Sequence, residues 1–148
     1  MWHTGKIKRM SILDSLRAAA PAMQAIRRDI HAHPELCFEE HRTADVVERA
    51  LSAWGIPVFC GLGKTGVVGV IEGRPGLRAV GLRADMDALP ITEHNQFNHA
   101  SRHAGRMHAC GHDGHTAMLL AAAQQLAASR DFDGKVYVIF QPAEEGGG

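Results

Sequence analysis

The 148-residue sequence has no excess of charge, no long apolar run and few aromatic residues. Sixteen basic residues balance sixteen acidic ones, and no stripe of lysine or arginine alternates with the aromatic residues, which make up 5% of the chain. Binding to nucleic acid or to an anionic membrane surface is therefore not expected. Because no apolar run is long enough for a membrane span or a signal peptide, we expect a cytoplasmic protein.

Cysteines are also few, and their spacing is irregular. Cys37, Cys60 and Cys110 are an odd number without the pattern of a disulfide framework, so we expect free thiols in a reducing compartment. With 45% apolar residues, the chain can bury one core, as one domain or as a piece of a larger one. The folded pattern begins at about Met10, which makes residues 1–9 a predicted N-terminal extension and residues 10–148 the predicted domain.

Helical spacing of apolar residues dominates the first third of the chain. Ser11 and Asp14 resemble a capping box, and the helical pattern continues to His33 with an interruption at Pro21, where a second helix could begin. A further helix is predicted from about Thr43 to Trp54, followed by Gly55 as a C-terminal cap. We expect these helices to cover a sheet.

Strand patterns follow from residue 57 onward. Short apolar runs at residues 57–60, 65–72 and 77–82 predict a strand and then a hairpin that turns at residues 73–76. Residues 116–129 predict a helix that is apolar nearly all round and therefore buried, and residues 135–140 have the apolar density of a central strand. The alternation predicts an α/β fold with a central mixed sheet flanked by helices.

The run from Arg106 to Thr116 is the most unusual stretch, because it holds three histidines, a thiol and a carboxylate. Cys110 and His112 are two residues apart, so on an extended segment both side chains would leave the same face and could bind one metal ion. Thiolate and imidazole are good ligands for Zn²⁺ and similar ions, and Asp113 and His115 could orient or supplement them. The run therefore predicts a metal site.

Two acidic pairs also lie at the ends of predicted strands, where sites form in open α/β sheets: Asp85 with Asp87, and Glu144 with Glu145. Adjacent glutamates point in different directions, so one can bind a metal while the other acts as a general base. A metal lowers the pKa of a bound water and polarises a carbonyl, as amide hydrolysis requires. Taken alone, the glutamates could be a solvated strand end, and the aspartates a helix cap or a turn.

Three segments resemble the signature motifs of a known family: GLRADMDALP at residues 81–90, MHACGHDGHT at 107–116 and FQPAEEGGG at 140–148. The family is that of the metal-dependent amidohydrolases, which includes hippurate hydrolase, N-acyl-amino-acid deacylases and plant auxin-conjugate hydrolases. The segments HAHPE at residues 31–35 and EEHRT at 39–43 fit the same family. The resemblance thus spans about residues 12–148.

The resemblance implies a zinc-exopeptidase-like catalytic domain that uses two divalent ions, such as Zn²⁺, Mn²⁺, Co²⁺ or Ni²⁺. By that resemblance Cys110, His112 and Glu145 are metal ligands, and Cys110 bridges the two ions. Glu144 is then the general base and later the proton donor to the leaving amine, and Asp87 is a carboxylate that orients a ligand. The role of Asp85 stays open, because in more distant relatives a histidine ligand stands at its position.

The implied substrate is a small molecule, an N-acyl amino acid of the hippurate type. Members of the family continue far beyond the glutamate pair, so we expect a truncated domain that lacks two further metal-binding histidines and the smaller lid and dimerisation domain. The isolated chain is then expected to be inactive, with an incomplete metal site and an exposed sheet edge. Full-length relatives are expected to be homo-oligomers.

Two alternatives remain open. The chain could be a non-catalytic metal-binding or partner-binding fragment of a truncated reading frame. It could also hydrolyse substrates with Cys110 as nucleophile and His112 as base, although residues two apart rarely reach that geometry and the glutamate pair would then be unused.

Overall fold

Two helices, three strands, a third helix and a fourth strand follow one another along residues 11–147, the part of the chain that the computed structural model describes. The predicted extension at residues 1–9 lies outside these residues. The helices are α1 (Ile12–Ala32), α2 (His41–Ala53) and α3 (His112–Ser129). The strands are β1 (Val58–Leu62), β2 (Gly66–Glu72), β3 (Arg74–Asp85) and β4 (Asp133–Gln141), and a short 3-10 helix (Glu144–Gly146) follows β4. No helix among these residues is long and apolar enough to cross a membrane.

The four strands form one mixed sheet in the order β1-β2-β4-β3. β2 pairs antiparallel with β1 and β4, whereas β3 runs parallel to β4. The mixed sheet and the central position of β4 confirm the sequence-based prediction.

The predicted hairpin between β2 and β3 is wrong, because β4 lies between these two strands. The glycine-rich segment after β2 bonds to the chain that enters β4 and does not close a turn on itself. The Gly73 N–H donates to the Gly134 carbonyl, and the Arg74 N–H donates to the Phe132 carbonyl. The hairpin of this fold instead joins β1 to β2 through Gly63 and Lys64, which have φ angles of 57° and 80°.

The helix boundaries differ from the predicted ones at two places that matter. α1 continues through Pro21 without a second start, and Pro21 lies on the exposed side of the helix. α3 begins at His112 and not at residue 116, so His112, Asp113 and His115 are helical. The capping bond at Ser11 is present, since its hydroxyl accepts from the Asp14 N–H at 3.1 Å.

All three helices contribute to a core on one face of the sheet. The core includes buried side chains from the helices and from β2, β3 and β4: Met23, Val47, Leu51, Leu119, Leu120, Val67, Ile71, Ala84, Val136, Val138 and Phe140. On the opposite face, Val68 and Ile139 form a half-buried pair. β3 is an edge strand of the sheet and exposes Leu77 completely and Val80 by 55%.

Candidate metal centre

The parallel pairing of β3 and β4 brings the segments after both strands together. Asp85 is paired with Gln141 at the carboxyl ends of the strands, and the Met86 N–H donates to the Gln141 carbonyl at 3.0 Å. α3 starts at the same edge, where the Thr116 hydroxyl donates to the Asp85 carbonyl at 3.1 Å. The three polar segments predicted from the sequence therefore meet in one place.

Cys110, His112 and Glu145 form a compact group at this edge, with one potential ligand atom from each lying within 4.8 Å of the other two. The expectation that Cys110 and His112 share an extended segment is wrong, because His112 is the first residue of α3. Gly111 separates them with a left-handed φ of 87°, and this turn of the chain brings the two side chains together.

His112 is held with one ring nitrogen turned inward. Its Nδ1 lies 2.9 Å from the backbone carbonyl of Asp87 and 3.2 Å from the Oδ1 atom of Asp87. A carbonyl oxygen can only accept, so Nδ1 is the donor in this contact and Nε2 is the nitrogen that faces away from Asp87. Nε2 is the nitrogen that lies 3.9 Å from both Glu144 Oε2 and Glu145 Oε1.

Asp87 joins the elements of the site. This residue is only 1% exposed, and its second oxygen, Oδ2, accepts from the Glu145 N–H at 2.9 Å and from the Cys37 thiol at 3.3 Å. One carboxylate thus orients the His112 ring and also fixes the backbone of Glu145. This geometry is what a carboxylate behind a metal ligand provides.

The two glutamates differ in exposure. The Glu144 side chain is 40% exposed and that of Glu145 is 24% exposed, and each has an oxygen 3.9 Å from His112 Nε2. The short 3-10 helix that holds them begins after Ala143, which has a positive φ of 55°. The tight turn thus places the carboxylates of both Glu144 and Glu145 near His112 Nε2.

Glu40 is a residue of the site region that sequence reasoning did not single out. Its side chain is fully buried, and its two oxygens accept from the Ala143 N–H at 2.8 Å and from the Thr65 hydroxyl at 2.5 Å. It therefore fixes the turn that precedes Glu144. The sequence contained Glu40 only within the EEHRT segment, and nothing there distinguished a buried glutamate from a solvated one.

Negative charge dominates the surroundings of the two thiols. A hydrogen bond to Glu145, then burial, then the charges of Glu145, Glu144 and Asp85 raise the pKa of Cys110. Burial and the bond to Asp87 raise the pKa of Cys37 to about 11. A free Cys110 thiolate is thus disfavoured, which does not support a thiol nucleophile, whereas a divalent cation would offset the same charges.

The donor set fits a metal ion of the zinc type. Thiolate, imidazole and carboxylate are the ligands such ions prefer, and the ligand atoms are close enough for one ion to contact all three after small adjustments. Asp85, His112 and His115 form a second group within the same distance. Because Nδ1 of His112 bonds to Asp87, only Nε2 can bind a metal ion, so His112 can belong to only one of the two groups at a time. Asp85 also forms an ion pair, with its Oδ1 atom 3.3 Å from Arg83 Nη2.

The predicted supporting residues lie around this centre. Asp113 is fully buried and bonds to His31 and Arg27. His108 is 4% exposed, and neither of its ring nitrogens has a hydrogen-bond partner among residues 11–147. His115 is exposed, with its ring centroid 5.5 Å from that of His112.

The sequence of the chain matches known proteins. The model of peptidase family M20/M25/M40 matches residues 81–148. The chain is 45% identical over 137 residues to a hippurate hydrolase of Campylobacter jejuni, an alignment that covers 93% of this chain and 36% of that protein. It is 49% identical over 122 residues to an N-acyl-L-amino acid amidohydrolase of Geobacillus stearothermophilus, covering 82% of this chain and 33% of that protein.

Solved structures confirm the fold. A dinuclear metal-binding peptidase of the M20 family from Bacillus subtilis superposes with a TM-score of 0.84 at 43% identity, covering 87% of this chain and 37% of that chain. The chain therefore spans about a third of the length of the relatives it matches.

Proposed function

The chain belongs to peptidase family M20/M25/M40, and from this premise we propose that it is part of a metal-dependent amidohydrolase that cleaves N-acyl amino acids. The products would be a carboxylate and a free amino acid. The observation that carries this proposal is the group of Cys110, His112 and Glu145 within 4.8 Å, with the Glu144 carboxylate 3.9 Å from the free nitrogen of His112.

We propose that Cys110, His112 and Glu145 would hold divalent metal as part of a two-ion site. The Bacillus subtilis relative is a dinuclear metal-binding peptidase, which supports the number of ions. When bound, such ions activate water and polarise the substrate carbonyl. Zn²⁺, Mn²⁺, Co²⁺ and Ni²⁺ all suit this donor set.

Glu144 is the proposed general base. Its carboxylate is the more exposed of the pair and faces the ligand group, so it can take a proton from an attacking water molecule and give it to the leaving amine. Asp87 holds His112 with Nε2 available by accepting from Nδ1. The His112 ring therefore needs no reorientation to bind a metal ion through Nε2.

The proposed substrate class rests on the relatives, which are a hippurate hydrolase and an N-acyl-L-amino acid amidohydrolase. We propose the cytoplasm as the compartment and a homo-oligomer as the assembly of the full-length protein. The 148-residue chain alone is proposed to be inactive, since its ligand group supplies three side chains for two ions.

Metal analysis of the purified chain tests the centre. We expect bound Zn²⁺ or Co²⁺ in the wild type, loss of most of it in Cys110→Ser, and no change in Cys60→Ser, a matched control because Cys60 is an exposed thiol on β1. With Co²⁺, a thiolate-to-metal charge-transfer band should be present in the wild type and the control and absent in Cys110→Ser. Equal metal content in wild type and Cys110→Ser would contradict the proposal.

The activity is tested separately with N-benzoylglycine and N-acetyl amino acids in the presence of Mn²⁺, Zn²⁺, Co²⁺ or Ni²⁺. Clear turnover by the isolated chain would contradict its proposed inactivity. If turnover is found, Glu144→Gln should abolish it without loss of bound metal.

A further inference from the structure

A buried cluster of polar side chains lies near Cys110, His112 and Glu145, which we call the ligand group. The cluster connects three parts of the fold. His31, in the last turn of α1, has Nδ1 at 2.8 Å from Asp113 Oδ2 and Nε2 at 3.2 Å from Glu93 Oε1. The three side chains are 6%, 0% and 3% exposed, respectively, for His31, Asp113 and Glu93. Burying a histidine and two carboxylates costs free energy unless they form hydrogen bonds or ion pairs with one another.

Hydrogen bonds connect all members of this cluster. Carboxylate oxygens accept hydrogen bonds, and each ring nitrogen of His31 lies within hydrogen-bond distance of one carboxylate. Arg27 is a second partner of Asp113, because its Nε donates to Asp113 Oδ2 at 3.0 Å. His31 is therefore the residue that contacts both carboxylates.

Each carboxylate fixes a segment that leads to a proposed ligand. Asp113 is adjacent to His112 in the first turn of α3, a helix start that has no side-chain cap. Glu93 lies in the long segment between β3 and α3 and accepts from the Ser101 N–H and the Asn95 amide. The hydrogen bonds to Glu93 hold its pKa below the ordinary value, although burial, the largest single influence, acts to raise it.

That long segment ends at Cys110. An isolated antiparallel bridge joins Leu89, before Glu93, to Met107, after it. Met107 is three residues before Cys110. The His31 ring thus contacts Asp113, next to His112, and Glu93, in the segment that leads to Cys110. Asp87 touches His112 directly, whereas His31 touches none of the three ligands.

We propose that His31 is a positioning residue for the metal centre: by holding Asp113 and Glu93 at once, it sets the relative placement of Cys110 and His112. This inference rests on the proposed metal-binding function. Groups that bond directly to metal ligands typically contribute about 10- to 100-fold to metal affinity. His31 acts one step further from the ligands, so we expect an effect at the lower end of this range.

Co²⁺ titration of the full 148-residue chain tests the proposal, with affinity and the spectrum at saturation as the two readouts. For His31→Gln we expect about tenfold weaker Co²⁺ binding and an altered thiolate charge-transfer band at saturation. A loss of general stability alone would not change the spectrum of the saturated, folded protein. His33→Gln is the matched control, because His33 follows on the same helix end and bonds locally to the Asp29 carbonyl at 2.8 Å; it should bind Co²⁺ like the wild type.

Glu93→Gln is the second variant, since it keeps the shape of the side chain, lies far from the ligands along the chain and decides the test if His31→Gln does not fold. It should weaken Co²⁺ binding in the same direction and alter the band. If the wild type binds no Co²⁺, both the metal centre and the positioning role are overturned. If the wild type binds Co²⁺ and folded His31→Gln and Glu93→Gln match it in affinity and spectrum, only the positioning role is overturned.

Discussion

The Nδ1 atom of His112 lies 2.9 Å from the backbone carbonyl of Asp87 and 3.2 Å from Oδ1 of the same residue. A single residue just after β3 thus fixes the ring of a side chain at the start of α3, while its other oxygen accepts from the Glu145 N–H. Both strand ends and the helix start are therefore connected through one buried carboxylate. The geometry of the proposed metal centre therefore involves Asp87 as well as the proposed ligand side chains.

Asp87→Asn should weaken metal binding by about 10- to 100-fold. An amide has one oxygen, so its NH2 group must face either the Nδ1–H of His112 or the Glu145 N–H, and in both orientations two donors oppose each other. Co²⁺ titration gives the affinity, and Asp45→Asn on the exposed side of α2 is the control. Unchanged affinity in Asp87→Asn would show that this carboxylate does not orient His112.

Glu40→Ala should lower the free energy of unfolding by roughly 3 kcal/mol or more, because it leaves the Ala143 N–H and the Thr65 hydroxyl without a partner and removes buried volume. Glu40→Gln should cost only about 1 kcal/mol, since its oxygen can accept from Ala143 while its NH2 group donates to the rotatable Thr65 hydroxyl. Urea unfolding of both variants measures the difference. Equal effects would mean that the two hydrogen bonds contribute little.

The sequence could predict the elements of this fold where periodicity and local chemistry decide them. The presence of the helices, though not all of their boundaries, the strand β4 and the two acidic pairs after strands follow from spacing and residue type. Strand order does not, because pairing depends on contacts distant in the chain. Gly73 and Gly76 have the composition of a turn, yet Gly73 bonds to Gly134 at the entry to β4.

In the site, too, residue types could be predicted from local sequence, whereas contacts between distant residues could not. Cys110, His112 and Glu145 could be chosen as candidate ligands from residue type, spacing and family resemblance. Their proximity depends on the left-handed turn at Gly111 and on the start of α3 at His112. Glu40 and His31 could not be chosen as partners in this way, since their roles arise from burial next to Ala143 and Asp113, which are far away in sequence.

The buried His108 should make the metal-free chain less stable in mild acid. Burial lowers the pKa of His108 from 6.5 to about 4, although the charge of Asp113 opposes this shift. The folded state therefore binds fewer protons than the unfolded state between these values, so this contribution to stability is complete above pH 6.5 and is lost as the pH falls toward 4. At pH 5 the free energy of unfolding should be about 2 kcal/mol lower than at pH 7.5 from this group.

Urea unfolding at the two pH values, with a chelator present, measures this effect. His108→Leu has no imidazole to protonate and should lose less stability between pH 7.5 and pH 5 than the wild type. His94→Gln, a change at an exposed histidine of the same segment, should keep the pH dependence of the wild type. An identical pH dependence in wild type and His108→Leu would contradict the assignment.

The edge formed by β3 should promote self-association of the chain. Within residues 11–147, β3 is paired only with β4, and it exposes Leu77 and Val80. An unpaired strand with apolar side chains can pair with a strand of another molecule, and a lysine on such an edge opposes this by its charge. Val80→Lys should therefore reduce the concentration-dependent increase in sedimentation coefficient, while its free energy of unfolding changes by less than about 0.5 kcal/mol. Leu13→Lys, which adds the same charge on the exposed face of α1, should leave self-association unchanged, and an equal reduction by both variants would mean that net charge and not the β3 edge controls it.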